Sequence, residues 1–91
     1  MAGDKRYRVR FRRSARKEFL DLPVRIQDKI VEALSFLSEN PYTDLLRIKK
    51  PRGPEKLYRI RIADYRLVYT VESSELIVIV VKIGHRGEIY R

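Results

Sequence analysis

The sequence predicts an α+β fold in the order β-α-α-β-β-β, with two helices covering one face of a sheet. Three observations predict it. Residues alternate strictly over Arg6 to Arg12 and again over Leu57 to Ile62. Ile26, Ile30, Leu34 and Leu37 recur at helical spacing. Leu76 to Ile83 is almost continuously apolar. Period-2 patterning marks half-buried strands, a spacing of three and four marks an amphipathic helix, and a short apolar run marks a strand covered on both faces.

In the first strand, Tyr7, Val9 and Phe11 share one face and Arg6, Arg8, Arg10 and Arg12 the other. This strand is expected at a sheet edge. Ser14 is the expected N-cap of a short helix over 15–22, with Ala15, Phe19 and Leu22 or Leu20 facing inward. Pro23 suits the first turn of a second helix, where its missing N–H is no loss. That helix runs to about Glu39, and Asn40-Pro41 ends it. Residues 41–56 hold Pro41, Pro51, Gly53 and Pro54 and read as a basic loop, with a short strand at Leu45 to Ile48. Leu57 to Ile62 is the next strand, with Tyr58, Ile60 and Ile62 on one face and Leu57, Arg59 and Arg61 on the other. Ala63-Asp64 is a two-residue connection to Tyr65–Glu72, as in a hairpin. Ser73-Ser74 is a second tight turn. Leu76 to Ile83 follows, then a turn over 84–87 and a tail over 88–91. The three C-terminal strands form an antiparallel meander.

The 91 residues suit one domain spanning 1–91. A chain of this size buries roughly 60–65% of its unfolded surface, enough for a modest core. With no cysteine, disulfides and thiolate metal sites are excluded. The longest apolar run, Leu76 to Val81, is far shorter than a membrane span. The first residues, MAGDKRYRVR, contain no apolar leader core, so a cytoplasmic location is expected.

Lys plus Arg number 21 against 12 for Asp plus Glu, a net charge of +9. The bases are segregated. Residues 5–17 hold eight bases and no acid, 18–46 hold two bases against six acids, and 47–66 hold eight bases against two acids. A solubilising surface interleaves the signs. The segregation points to a basic working face and a polyanionic partner, most simply nucleic acid.

The chemistry-bearing set is narrow. There is one histidine, no close acidic pair on an expected strand, no nucleophile elbow and no phosphate-binding glycine loop. No metal or cofactor is expected. Arginine and tyrosine remain, and they suffice for one reaction class. RNA carries its own nucleophile, the 2′-hydroxyl. Cleavage then needs in-line geometry and stabilisation of phosphorane charge, which guanidinium groups provide.

The segment YRIRIADYRLVYTV (Tyr58 to Val71) and the C-terminal IGHRGEIY (Ile83 to Tyr90) resemble the RelE toxins of the RelE/ParE superfamily. The likeness covers essentially the whole chain. It is most specific in DYRLVY and in the terminal Gly84-His85-Arg86 with Tyr90. The resemblance implies a curved antiparallel sheet with two N-terminal helices on one face. It also implies a toxin paired with a RelB-like antitoxin, which cleaves messenger RNA in the ribosomal A site without a metal and leaves a 2′,3′-cyclic phosphate. By the same resemblance, Arg66 binds phosphate, Arg86 stabilises the transition state and Tyr90 stacks on the RNA base. Arg59 and Arg61 stand where the bacterial prototype has lysines, one of them proposed as general base.

Arginine stays protonated and is a poor base. His85, beside Arg86, is therefore the candidate proton carrier. Lys49, Lys50, Arg52 and Lys56 are candidate phosphate contacts in the basic loop. The bases between Lys5 and Lys17 face either ribosomal RNA or an acidic antitoxin, and the exposed apolar parts of the helices are the expected antitoxin surface. Two other functions compete. A ParE-like toxin would inhibit DNA gyrase by binding. A non-catalytic RNA-binding protein would share the charge but not the motif, and the α-β-β-β-α order of double-stranded-RNA domains does not match.

Overall fold

A computed structural model describes residues 6–85, without the side chains of residues 50 and 52. Arg86, Tyr90, the turn beyond His85 and the tail lie outside the described residues. The elements are β1 (Arg8–Phe11), α1 (Arg13–Leu20), α2 (Val24–Glu39), β2 (Ile48–Arg52), β3 (Leu57–Ile62), β4 (Tyr65–Glu72) and β5 (Ile77–His85). They form one sheet in the order β1-β5-β4-β3-β2, antiparallel except for the β1–β5 pair. The helices carry the chain from the β1 edge to the β2 edge. Three hairpin reversals then bring β5 back beside β1. A long crossover is what permits the parallel pairing there.

The expected order holds, with one strand added. β2 replaces the short strand expected over Leu45 to Ile48 and begins where that one was to end. Leu45 is 73% exposed and belongs to the preceding loop. Pro51 sits inside β2 because the strand is at the sheet edge, where a missing N–H costs no ladder bond. A register shift between Lys49 and Arg52 accompanies it.

Ser14 does not cap α1. The N-cap is Arg12, with no side-chain bond, and Ser14 falls inside the helix. The other end of α1 is secured by Gln27, whose Nε2 donates to the carbonyls of Phe19 (2.9 Å) and Leu22 (3.2 Å). The Phe19 carbonyl also accepts the Leu22 N–H at 3.1 Å, so Gln27 adds a second bond there and ties the α1–α2 connection to α2. Pro23 is the N-cap of α2 and so precedes its first turn. Ile26, Ile30, Ala33, Leu34 and Leu37 are the buried stripe of α2, as their spacing requires. They meet Ile60, Ile62, Leu67, Tyr69, Val78, Val80 and Ile83 from the sheet.

The β3–β4 turn uses two residues, with Ala63 at φ 54°. The β4–β5 connection is longer than the Ser73-Ser74 turn expected. Glu72 pairs with Ile77, and Leu76, at φ 56°, belongs to the loop. β5 also extends through Gly84 to His85, positions expected in a turn. Val68 pairs with Lys82 and Tyr69 with Val80, so Val81 is the extra residue of a bulge. The bulge lets Val80 and Ile83, three positions apart, both face the core.

β1 covers β5 only as far as Val80. Beyond it, Glu18 of α1 closes the open edge. Its carboxylate accepts the Ile83 N–H at 2.8 Å and lies 3.3 Å from the Lys82 ammonium.

Tyr69 is fully buried, and its hydroxyl donates to the Pro41 carbonyl at 2.7 Å. Burial, reinforced by the neighbouring Tyr58 and Tyr42 phenols, raises its pKa far above the ordinary tyrosine value of 10.0. Tyr58 is raised as well, first by burial and then by Tyr42.

Candidate functional site

β3 and β4 turn alternate residues away from the core. Tyr58, Ile60 and Ile62 point to the helices, which leaves Arg59 and Arg61 on the opposite face. The ladder places Arg61 directly across from Arg66 and Arg59 across from Val68. On its other side Arg59 faces Lys49 of β2. Three adjacent strands, with Arg47 immediately before β2, therefore bring Arg47, Lys49, Arg59, Arg61 and Arg66 around one hollow of about 200 Å³. Among the described residues no acidic side chain lines it.

The cations are held rather than loosely displayed. Arg59 and Arg66 are half-buried, with their Nε atoms shielded from solvent. Val68, which pairs with Arg59, is buried on the same face. Arg61 donates from Nε to the Ala63 carbonyl at 3.2 Å, tying it to the hairpin turn. Guanidinium groups fixed in this way match phosphate oxygens two at a time. The hollow is smaller than a typical pocket for a drug-sized ligand and suits a single phosphodiester.

The sequence-derived candidates divide. Arg59, Arg61, Arg66 and Lys49 come together in the hollow. Arg47 joins them and was not singled out from the sequence. Its signal was its place two residues before Lys49, on the same side of the alternation that leads into β2. Lys50 and Arg52 lie on β2 rather than in a loop. Lys56 is the last residue of the β2–β3 turn, at φ 53°, and does not line the hollow. Arg86 and Tyr90 fall outside the described residues.

His85 does not join the arginines. It pairs with Tyr65 while Gly84 pairs with Arg66, so strand parity puts His85 on the face of Tyr65, Leu67 and Ile83. Its ring meets the Tyr65 ring edge-on, with centroids 4.9 Å apart. In this register His85 stands apart from the arginine hollow that the sequence reading set it beside. The sequence placed it in a turn free to face either way, whereas β5 carries it to the other side.

Residues 9–90 match the family described as "ParE toxin of type II toxin-antitoxin system, parDE". The chain belongs to the RelE/ParE superfamily of type II toxins. Within it the toxin is of the RelE type. It is 36% identical over 88 residues to Toxin RelG of Mycobacterium tuberculosis, covering 93% of this chain and 97% of the relative. Its fold is similar to RelE in the archaeal RelE–RelB complex from Pyrococcus horikoshii, with TM-score 0.77, 27% identity, and coverage of 90% and 97% of the two chains. It is likewise similar to the isolated Escherichia coli RelE toxin, with TM-score 0.75, 30% identity, and coverage of 92% and 90%. The matched span of the toxin includes every residue of the arginine hollow. Among the described residues, no helix is long and apolar enough to cross a membrane.

Proposed function

We propose that this toxin is a ribosome-dependent endoribonuclease that cleaves messenger RNA in the A site and so inhibits translation. The observation that carries the reading is the convergence of Arg59, Arg61 and Arg66 with Lys49 and Arg47 on the open face of the sheet. A gyrase-binding toxin has no need of a phosphate-sized cationic hollow.

The chemistry needs no metal or cofactor of the toxin's own. The 2′-oxygen of the messenger attacks the adjacent phosphorus, the bond to the 5′-oxygen breaks, and a 2′,3′-cyclic phosphate and a 5′-hydroxyl result. The attacking hydroxyl loses a proton and the leaving oxygen gains one. Arg66, Arg61 and Arg59 hold the phosphate and stabilise the charge that grows on it, the effect worth most in catalysis of this kind. Arginine does not give up its proton. A lysine ammonium likewise has no lone pair to offer, so among the described lining residues none takes the 2′-hydroxyl proton, which passes to water. Arg86 and Tyr90 keep the roles that the family resemblance implies, transition-state stabilisation and base stacking. The ribosome bends the messenger into line, a contribution of position rather than of chemistry.

A RelB-like antitoxin is the proposed partner, as the similarity to the RelE–RelB complex from Pyrococcus horikoshii suggests. Leu20, Val24 and Val31 are exposed apolar residues on the helices and offer a surface for an amphipathic segment.

Primer extension on messenger bound to purified ribosomes tests the function. The parent is expected to cut within the A-site codon. Arg66→Ala and Arg86→Ala should each slow that cut by about 10²–10³-fold, the loss usual for one fixed charge-stabilising donor. Inhibition of gyrase supercoiling without messenger cleavage would overturn the reading in favour of the ParE-like one, to which the family description gives weight.

A further inference from the structure

A second hollow opens on the helix-bearing face of the sheet, that of Tyr58 and Ile48, and meets the first only around the edge strand β2. It measures about 210 Å³ and lies between β2 and the loop that follows α2. Tyr42 and Tyr58 form its aromatic wall, Ile48 and Pro51 lie on the strand side, and Asp44 and Lys49 are its charged members. Lys49 lines both hollows.

The loop is built to hold Tyr42 still. Asn40 accepts the Tyr42 N–H on its side-chain oxygen at 3.0 Å and the Thr43 N–H on its carbonyl at 3.1 Å. The Thr43 hydroxyl accepts the Leu45 N–H at 3.1 Å. From below, the Tyr69 hydroxyl grips the Pro41 carbonyl. The three rings form a column. Tyr69 and Tyr58 stack at 5.2 Å with planes 16° apart, and Tyr42 leans on Tyr58 at 5.6 Å. The column starts in the core and ends at Tyr42, 47% exposed.

A lone exposed tyrosine needs no explanation. This one is immobilised, stacked, and one lysine away from a phosphate-sized cationic hollow. We propose that the Tyr42 hollow is a nucleobase subsite, receiving the base of a nucleotide that flanks the phosphate held by the arginines. The proposal rests on reading the toxin as an RNA-binding nuclease, and it deepens that reading. Aromatic faces accept any base by stacking. Asp44 repels a phosphate but can accept a hydrogen bond from an exocyclic amino group. The division of labour between the hollows follows from their charges: backbone over the arginines, base against the tyrosines. Lys49 spans the boundary.

The test compares binding of two fluorescently labelled single-stranded RNAs to the full-length toxin at fixed low salt. One is a hexanucleotide and the other the same chain with abasic sites. The parent should bind the complete RNA about tenfold more tightly, in keeping with the contribution of one stacked base. Tyr42→Ala should reduce that preference to about twofold or less, and Tyr42→Phe should keep it. The salt dependence should not change, because no phosphate contact is removed. Arg66→Ala should weaken both RNAs alike. If Tyr42→Ala keeps the parent's preference while Arg66→Ala weakens both RNAs, the subsite is overturned and the arginine reading stands. If Arg66→Ala weakens neither, the RNA reading falls and the subsite falls with it. If Tyr42→Ala weakens only the complex with the antitoxin, the occupant is a protein segment and the subsite is likewise overturned.

Discussion

Arg66 of β4 stands directly opposite Arg61 of β3 in the antiparallel ladder. Like charges at directly opposed positions work against a sheet. The pairing is understandable if an anion bridges the two in the working state. A phosphate held by both, as the proposed function has it, would offset that repulsion.

A polyanion should therefore stabilise the free toxin. At about tenfold saturation a ligand that binds only the folded state raises the melting temperature by roughly 5–10 °C in a domain this small. Pyrophosphate or a short RNA should give that rise in a thermal melt, and Arg61→Ala or Arg66→Ala should cut it by more than half. A rise of equal size in both variants would place the anion elsewhere.

Glu18 has a structural task that its exposed neighbours lack. It supplies the acceptor for the Ile83 N–H where β1 no longer covers β5. Glu18→Ala leaves that amide without its acceptor and should cost about 1–3 kcal/mol. Urea unfolding measures this. Glu18→Gln keeps an acceptor and should recover much of the loss, whereas removing the Lys82 ammonium by Lys82→Met should cost about 1 kcal/mol or less, since that pair is partly solvated.

The buried Tyr69 makes stability depend on alkaline pH. Its pKa is raised in the folded state, so the protonated form is the one the fold favours. The associated stability is complete below the unfolded value of 10.0 and is lost as pH rises from there towards the folded value. Melting temperature should fall above that point. Tyr69→Phe should lower stability at neutral pH by about 1–3 kcal/mol, through the unpaired Pro41 carbonyl, and should flatten the alkaline decline. An equally steep decline in the variant would assign it to other groups.

His85→Ala should leave messenger cleavage within about twofold of the parent, because its register keeps it off the arginine hollow; loss of a general acid or base would instead cost ~10²–10⁴-fold. The pH–rate profile on programmed ribosomes should keep its shape. A large loss would mean that the histidine reaches the phosphate in spite of its pairing with Tyr65.

Much of the fold was legible because its signals are local. The hairpin Leu57–Glu72 appears in the structure with the bounds read from alternation, and the buried stripe of α2 is the one its spacing predicts. The errors lie where a local signal met a competing tertiary one. Ser14 looks like a cap, but α1 begins one residue earlier, at Arg13, and the cap position falls on Arg12 immediately after β1. Pro51 argued against a strand, and only an edge position makes it acceptable. Leu76 looks like the first residue of β5, yet the loop takes it in the left-handed region.

The residue types and the period by themselves determined that this chain forms two amphipathic helices and a meander, and that Arg59 and Arg61 share one face of their strand. Tertiary structure alone decided which cations meet. Lys49 and Arg66 reach Arg59 and Arg61 through the register of three strands, with Arg47 just before β2, while His85 is carried to the other face. Alternation is a property of one strand, set by its own backbone geometry. Register is set between strands, by the packing of distant side chains and by the bulge at Val81, and no single segment contains it.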